Sequence, residues 1–433
     1  MITSILIAAL TCIVMILGIL LFPQIKIKKL TLDTYWIVAL VGAVVTVAAG
    51  LVGVESLESA FTDSSAINPV KILLLFLSMT LISIFLDEVG FFKYLANKAL
   101  RLAGESQFRT FAVLYWTVSV LTVFTSNDIV VLTFTPFICY FAKNANIDPK
   151  PYLVAEFIAA NTMSMLFIIG NPTNIYVATS YGITFIDYFL VMALPTAASA
   201  LLSFGVLWLL FRRTLREPIK AAPEEIKIED KPLLVTGLTV LIVTTLFLVV
   251  GPYIGVDMWL VSVIAVGVLV IAALILAAAR RKAPEELGKT FARAPWQLVP
   301  FVLSMFFLIL SLAENGVTER VAGALGNGAP VWKYGALSFL SANLINNIPM
   351  SVLFSSILTH LPEGALLRGM YATIIGSNLG AFLTPIGALA GIMWMGLLKK
   401  QDVKMSYLDF IKYGSAVAIP SLAVSLGALA LLI

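Results

Sequence analysis

Whatever chemistry this sequence can perform is concentrated in four short polar breaks. They are Ser126–Asn127–Asp128, Gly170–Asn171–Pro172–Thr173–Asn174, Asn346–Asn347–Ile348–Pro349, and the run from Ser377–Asn378 to Thr384–Pro385–Ile386–Gly387. Each interrupts an otherwise apolar stretch. Proline removes a backbone donor and clashes with the preceding turn, and glycine permits backbone shapes that other residues resist. Together they unwind a helix. The freed carbonyls can hold a cation, and half-helix N-termini offer partial positive charge to an anion or polar solute. The substrate-binding candidates are Ser126, Asn127, Asn171, Thr173, Asn174, Asn346, Asn347, Ser377, Asn378 and Thr384. The coupling-ion candidates are Asp128, Asn127, Gly170, Asn347 and Gly387. A proline kink, with Asn and Thr satisfying nearby backbone, explains any single break. Four breaks in corresponding places favour a site.

The carboxylates are few. Asp128 is the most isolated, and ionised groups at membrane depth usually line a bundle interior or a water-filled cavity. It could bind a coupling cation or exchange a proton; the alternative is a cap on the hairpin helix through backbone amides. Glu156 lies near one end of its span and reads as reaching the interface. Asp87, Glu88 and Glu314 end their spans and read as capping or orienting the amphipathic stretches that follow. The single histidine, His360, falls in a short loop, which argues against a histidine proton relay.

The elements that must hold these breaks are membrane spans. The chain has 433 residues, 60% hydrophobic and 12% charged, with mean hydropathy +1.00. Soluble domains carry about 25% charged residues. Apolar runs suit spans near 2–22, 35–53, 70–87, 152–178, 187–211, 233–251, 257–279, 297–313, 368–397 and 410–432. Two more stretches, about 110–142 and 333–358, are broken by polar residues and suit re-entrant helical hairpins. Irregular backbone is tolerated at that depth only where protein or a cavity surrounds it. The expected fold is therefore an all-α polytopic membrane protein. Cys12 and Cys139 form no disulfide framework or zinc spacing, and no phosphate-loop motif is present, so ATP hydrolysis by the chain itself is not expected. No cofactor, metal site or nucleic-acid partner is expected. The first span lacks a basic residue before it and reads as a retained helix.

With ten crossing segments and two re-entrant ones, all of the 28 Lys and Arg residues except Lys71, Arg320, Lys333 and Arg368 fall on one side. The positive-inside rule then places the loops at 23–34, 212–232 and 280–296 in the cytoplasm and both termini outside the cell (inner) membrane. The charged stretch 212–232 reads as a solvated linker between a half at 1–211 and a half at 233–433.

The halves are related. Residues 76–96 align without a gap on 302–322, matching Leu77/Leu303, Ser78/Ser304, Met79/Met305, Leu86/Leu312, Glu88/Glu314, Gly90/Gly316 and Ala96/Ala322. Asn127 follows over Asn346. Residues 160–170 lie over 377–387, matching Asn161/Asn378, Ile169/Ile386 and Gly170/Gly387. The matched segments cross in opposite senses, which is the inverted repeat of many secondary transporters.

The segments LDEVGFF (86–92), SNDIVVLTFTP (126–136), APWQ (294–297), NNIP (346–349) and SNLGAFLTPIGALAGIMW (377–394) resemble the ion transporter superfamily. Within it they are similar to the ArsB-type arsenite/antimonite efflux permeases. The resemblance covers nearly the whole chain. It implies two inverted repeats, a scaffold bearing a homodimer contact, and a transport part built from the hairpins and broken helices. It also allows a soluble ATPase partner on the basic loops. By position it assigns the first hairpin motif to Asn127 and Asp128, the second to Asn346 and Asn347, and the unwound helices to Gly170–Asn174 and Ser377–Gly387. The GNPTN segment is more regular than in the arsenite permeases and leans towards the wider superfamily, which includes sodium-coupled carboxylate carriers.

The leading expectation is a proton-coupled exporter of arsenite or antimonite. Arsenite is a neutral trihydroxide near neutral pH, and the breaks offer Asn, Ser and Thr without Lys or Arg. A sodium-coupled carrier of small carboxylates or other anions, or a sodium/proton antiporter, would use the same breaks. A channel fits opposed hairpins less well, and no nucleophile–base pair suggests an enzyme.

Overall fold

The computed structural model describes residues 1–22, 24–27, 30–62, 68–219 and 228–433. Lys28, Lys29, Lys220 and Lys227 of the basic loops, and residues 220–227 of the inter-half linker, lie outside this set.

The described chain runs as two successions of ten helices. The first is α1 (Ile2–Leu21), α2 (Thr34–Ala48), α3 (Val54–Thr62), α4 (Pro69–Glu88), α5 (Phe91–Ala103), α6 (Gln107–Phe124), α7 (Asn127–Ala145), α8 (Lys150–Met163), α9 (Pro172–Ser180) and α10 (Phe185–Phe211). The second is α11 (Lys231–Val250), α12 (Met258–Ala279), α13 (Glu285–Arg293), α14 (Leu298–Glu314), α15 (Val317–Leu325), α16 (Pro330–Ile345), α17 (Asn347–Leu358), α18 (Glu363–Gly380), α19 (Leu389–Lys400) and α20 (Tyr407–Leu432). Each helix of the first succession has its counterpart ten places on. The hairpins are α6–α7 and α16–α17; the broken helices are α8–α9 and α18–α19. Pro195 and Pro420 lie inside α10 and α20, and Pro300 lies in the first turn of α14.

Three features depart from expectation. A two-stranded antiparallel ribbon, Gln24–Ile27 with Leu30–Asp33, joins α1 to α2. The short helices α3 and α13 precede α4 and α14. The linker after α10 is docked, with Leu215 and Ile219 buried and the Ile219 N–H donating to the Glu105 carbonyl at 2.7 Å. Two apolar side chains in a charged stretch are enough to pin its first turn.

The antiparallel relation of the repeats is visible at the ends of α4 and α14. Arg293, the last residue of α13, pairs with Asp87 at 2.8 Å and also with Glu88, so the C-terminus of α4 meets the chain entering α14. At the other face, Glu314 accepts from the Gly53 N–H at 3.0 Å and Asn315 donates to the Leu51 carbonyl at 3.2 Å. The C-terminus of α14 thus meets the chain leading towards α4. Asp87, Glu88 and Glu314 therefore clamp the opposite repeat; Gly90 and Gly316, both with positive φ, start the next helices.

Hydropathy alone does not say which apolar helix is central. Seven helices among the described residues are long and apolar enough to cross a membrane. In α4 the mean hydropathy reaches 2.2 with 83% of the window buried inside the protein, whereas α12 reaches 3.1 with 22% buried. Leu260, Ile264, Val268, Ile271 and Ile275 form an exposed stripe along α12, a surface suited to lipid. Helices α10 and α20 join the repeats through a Ser203–Ser421 hydroxyl contact of 2.9 Å and a Ser425 hydroxyl donating to the Pro195 carbonyl at 2.9 Å. Hairpin arm α16 approaches α18 backbone to backbone: a Cβ at Gly376 would lie 2.4 Å from the Gly335 carbonyl oxygen. Small residues at such crossings are how membrane helices gain close packing.

Replacing Arg293 by Gln leaves the buried Asp87 carboxylate without its cation. We expect a loss of about 1–3 kcal/mol, below the value for a fully buried pair because Arg293 is partly solvated. A thermal melt of the detergent-solubilised variant matching the parent protein would show that the clamp contributes nothing.

Candidate functional site

The two hairpin tips are built differently. In the first, α6 stops at Phe124, Thr125 and Ser126 are extended, and α7 begins at Asn127. In the second, a single residue, Asn346, separates α16 from α17 and sits at φ 72°, ψ 152°. That backbone region is nearly reserved for glycine. Its side chain compensates: Oδ1 accepts from the Ile348 N–H at 3.3 Å and Nδ2 donates to the Ile386 carbonyl at 3.1 Å. The Asn347 N–H donates to the Gly387 carbonyl at 3.0 Å. Helix starts therefore pair Asn127 with Asn347 and Ser126 with Asn346, one residue from the sequence match.

The broken helices share one device. Helix α8 ends at Met163, a 3-10 turn spans Ile168–Gly170, and Asn171 caps α9 by accepting from the Thr173 N–H at 3.1 Å. Helix α18 ends at Gly380 and α19 starts at Leu389. In both, the matched glycine folds back on the end of the first arm. A Cβ at Gly170 would lie 2.3 Å from the Ser164 carbonyl oxygen, and one at Gly387 would lie 2.5 Å from the Gly380 carbonyl oxygen. No larger residue fits either return without displacing backbone.

Around these returns lies a buried network of neutral groups. The Asn127 amide donates to Asn161 Oδ1 at 3.0 Å. The single proton of the Ser164 hydroxyl is shared between two acceptors, the Asn161 carbonyl at 2.8 Å and Asn378 Oδ1 at 2.9 Å. Asn171 Nδ2 also donates to Asn378 Oδ1, at 2.9 Å. Asn378 Nδ2 donates to Asn174 Oδ1 at 2.6 Å and to the Ile374 carbonyl at 2.8 Å. An amide side chain has two donors and two acceptor positions. All four of Asn378 are used, three of them by residues of the first half. Asn343 is saturated in the same way: its Nδ2 donates to the Phe339 and Gly380 carbonyls at 2.9 and 3.0 Å. Its Oδ1 accepts from the Thr384 N–H and hydroxyl at 3.1 and 2.7 Å.

The first tip is not saturated. Among the described residues, Ser126 Oγ and Asn127 Oδ1 are buried without a hydrogen-bond partner, as is Ser377 Oγ beside Asn378. Asp128, half-buried, makes no hydrogen bond or ion pair among the described residues, so it does not act as a cap. These oxygens are free to meet a solute or a cation. The Thr173 hydroxyl is turned to Asn171 Oδ1 at 3.1 Å. Gly170 and Gly387 contribute by close approach and, for Gly387, by its carbonyl.

Asn161, Ser164 and Asn343 complete the network and were not among the expected site residues. Asn161 carried a signal as the repeat partner of Asn378; Ser164 and Asn343 carried none beyond polarity in an apolar run. The expected interfacial position of Glu156 is not found. It does not reach an interface: it is 1% exposed, and the Thr135 hydroxyl lies 3.1 Å from each of its carboxylate oxygens. Two surface clefts, one of about 430 Å³ between α11, α12 and α13 and one along α5 and α6, include none of the network.

Comparison with known proteins fits this architecture. The sequence matches the family CitMHS, described as citrate transporter, over residues 34–369. The arsenical pump membrane protein of Escherichia coli (strain K12) is 29% identical over 376 residues, covering 82% of this chain and 85% of that protein. An uncharacterized transporter of Mycobacterium tuberculosis (strain CDC 1551 / Oshkosh) is 26% identical over 406 residues, covering 90% and 91%. Among solved structures, the YdaH transporter of Alcanivorax borkumensis, described as having an unusual topology, shares the fold. The TM-score is 0.59 at 14% identity, over 99% of this chain and 98% of that one.

Asn378→Ala strands Asn171 Nδ2 and Asn174 Oδ1 in a buried setting, while the Ser164 hydroxyl keeps the Asn161 carbonyl. At about 1–3 kcal/mol per unsatisfied group, and less than additively, a loss of about 2–4 kcal/mol is expected. Asn343→Ala should cost less, because Asn343 and Thr384 are only half-buried and water can replace part of what is lost. Unfolding midpoints within error of the parent protein would mean that the network relaxes onto other partners.

Proposed function

The chain belongs to the CitMHS citrate-transporter family, and from that premise we propose that it is a cation-coupled secondary transporter, with proton-coupled export of arsenite or antimonite as its activity. Membrane transport, as opposed to catalysis, is common to the family and to the relatives. The observation that carries the substrate is the make-up of the network. Its side chains are Asn, Ser and Thr, and among the described residues no Lys, Arg or His hydrogen-bonds to it. A neutral trihydroxide can exchange hydrogen bonds with such groups without a countercharge, and can leave again. The relative described as an arsenical pump membrane protein supports the same assignment.

In this reading Ser126, Asn127 and Ser377 are the open ligands, and Asp128 carries the coupling ion. The hairpins re-enter the bilayer from opposite faces, the basic loops lie in the cytoplasm, and both termini lie outside the inner membrane. The α10–α20 seam and the α4 and α14 clamps form the static frame. The homodimer and a docked ATPase subunit remain implications of the resemblance.

One observation favours a second reading. Helices α7 and α17 both begin at hairpin tips, and α9 begins at the first break, so three positive helix ends face the polar region. With sodium bound, that arrangement suits a small carboxylate, which agrees with the family's description.

Purified protein in vesicles separates the two. An imposed proton gradient should drive arsenite flux, and Asp128→Asn should abolish the gradient dependence while leaving the melt nearly unchanged. Citrate or dicarboxylate uptake stimulated by sodium, with no arsenite flux under a proton gradient, would transfer the protein to the second reading.

A further inference from the structure

Glu156 lies outside the four breaks, and the network above makes no use of it. It sits on the seventh residue of α8, about 9 Å along the helix axis from Lys150. Helices α7, α19 and α20 close over it. Thr135, from the second arm of the first hairpin, places its hydroxyl between the two carboxylate oxygens at 3.1 Å from each. Trp394, from the second arm of the second broken helix, brings its indole beside the carboxylate. That indole N–H is buried and makes no hydrogen bond among the described residues. Phe157 stacks on Trp394 with ring centroids 4.9 Å apart, and Phe410 of α20 closes the edge of both rings at 5.4 and 5.7 Å.

The surroundings hold no cation for it. Among the described residues, Glu156 forms no ion pair with Lys150 of its own helix, Arg109 of α6, Lys143 of α7, Arg368 of α18, Lys399 and Lys400 of α19, or Lys412 of α20. The other carboxylates on the helices packed around it are Asp128 on α7, Asp187 on α10, Glu363 on α18 and Asp409 on α20, the last engaged in a capping box with Ser406. Asp187 is engaged at its own helix start by Thr184. The titratable neighbour is Cys139, one turn beyond Thr135 on α7. Tyr152, one turn before Glu156, turns its hydroxyl away to Gln107 at 2.9 Å. A carboxylate sealed among hydroxyl, indole and phenyl groups is compatible with the neutral, proton-bearing form. Giving up the proton requires water to enter or α19 to move off α7.

We infer that Glu156 is a second proton-carrying carboxylate of the transport cycle, sealed where the first hairpin meets both broken helices. The inference rests on the transporter reading above but not on any particular solute. In the sealed state the Glu156 carboxyl holds its proton, and the Thr135 hydroxyl and Trp394 indole frame it. When α19, joined to α18 through the unwound stretch at 381–388 and to α20 through residues 401–406, slides along α7, the carboxyl is wetted and releases the proton to water. Reprotonation permits the seam to close again. Asp128 at the hairpin tip would carry the first coupling proton beside the solute, and Glu156 would carry the second, so that closure needs both.

The test uses reconstituted full-length protein in two arms. In the first, infrared difference spectra between acid and mildly alkaline pH are compared for the parent protein and Glu156→Gln. We expect a protonated-carboxyl stretch that titrates in the parent protein and is missing from the variant. Identical difference spectra would overturn the proposal. In the second, solute flux is followed with and without an imposed proton gradient. Glu156→Gln should lose gradient stimulation, falling to the flux seen without a gradient, and Glu156→Asp should recover part of it. Full stimulation in the Gln variant would also overturn the proposal. Should Gln prevent folding, Thr135→Val keeps the carboxyl and removes its hydroxyl partner. It should move the midpoints of the infrared titration and of the transport pH profile together, and unmoved midpoints count against the role. Silence of every solute with the infrared signature intact would defeat the transport assignment and leave the proton site standing.

Discussion

One amide holds the two halves of the polar centre together. Asn378 comes from the second repeat, yet three of its four hydrogen bonds go to Ser164, Asn171 and Asn174 of the first. In a low-dielectric interior a fully paired amide is stable and a half-paired one is costly, so each partner is held to one orientation. The unwound segments can leave helical geometry because their freed groups find partners across the repeat interface instead of water. Without that cross-repeat pairing, four breaks in apolar helices would be four defects.

The repeat is symmetric in its elements and asymmetric in its bonding. The second hairpin tip is tied to its break through Asn346, Asn347 and Gly387, and Asn343 locks Thr384 beneath it. The first tip leaves Ser126 Oγ and Asn127 Oδ1 unpaired, with Asp128 unpartnered beside them. A duplicated scaffold has thus kept one side as a rigid abutment and left the other with open valences. That division suits a carrier, which needs a fixed surface to move against and a few groups free to exchange partners. The same division separates the carboxylates: Asp128 stands at the open tip, and Glu156 is closed in by aromatic rings a short way along the neighbouring helix.

Much of this was legible in the residues. Proline, glycine and asparagine in a long apolar run have no inexpensive place in a continuous helix, so the four breaks, both hairpins and both broken helices could be read directly. The matches Asn161/Asn378 and Gly170/Gly387 fall where the structure places the two returns and their shared backbone contact. What stayed hidden depended on partners distant in sequence. Arg293 meets Asp87 and Glu88, Asn343 meets Gly380 and Thr384, and Glu156 is roofed by Trp394.

Sequence by itself determined where the chain is apolar, where it must unwind, and that it repeats itself, because each of these follows from local covalent geometry and from the cost of polar groups in hydrocarbon. Only the tertiary structure decided which polar groups are spent on one another and which remain free. It also decided which of two similar acidic residues is sealed and which stands at the tip. Those outcomes depend on the packing of helices brought together from opposite repeats, and no local pattern encodes how deeply one helix will cover another.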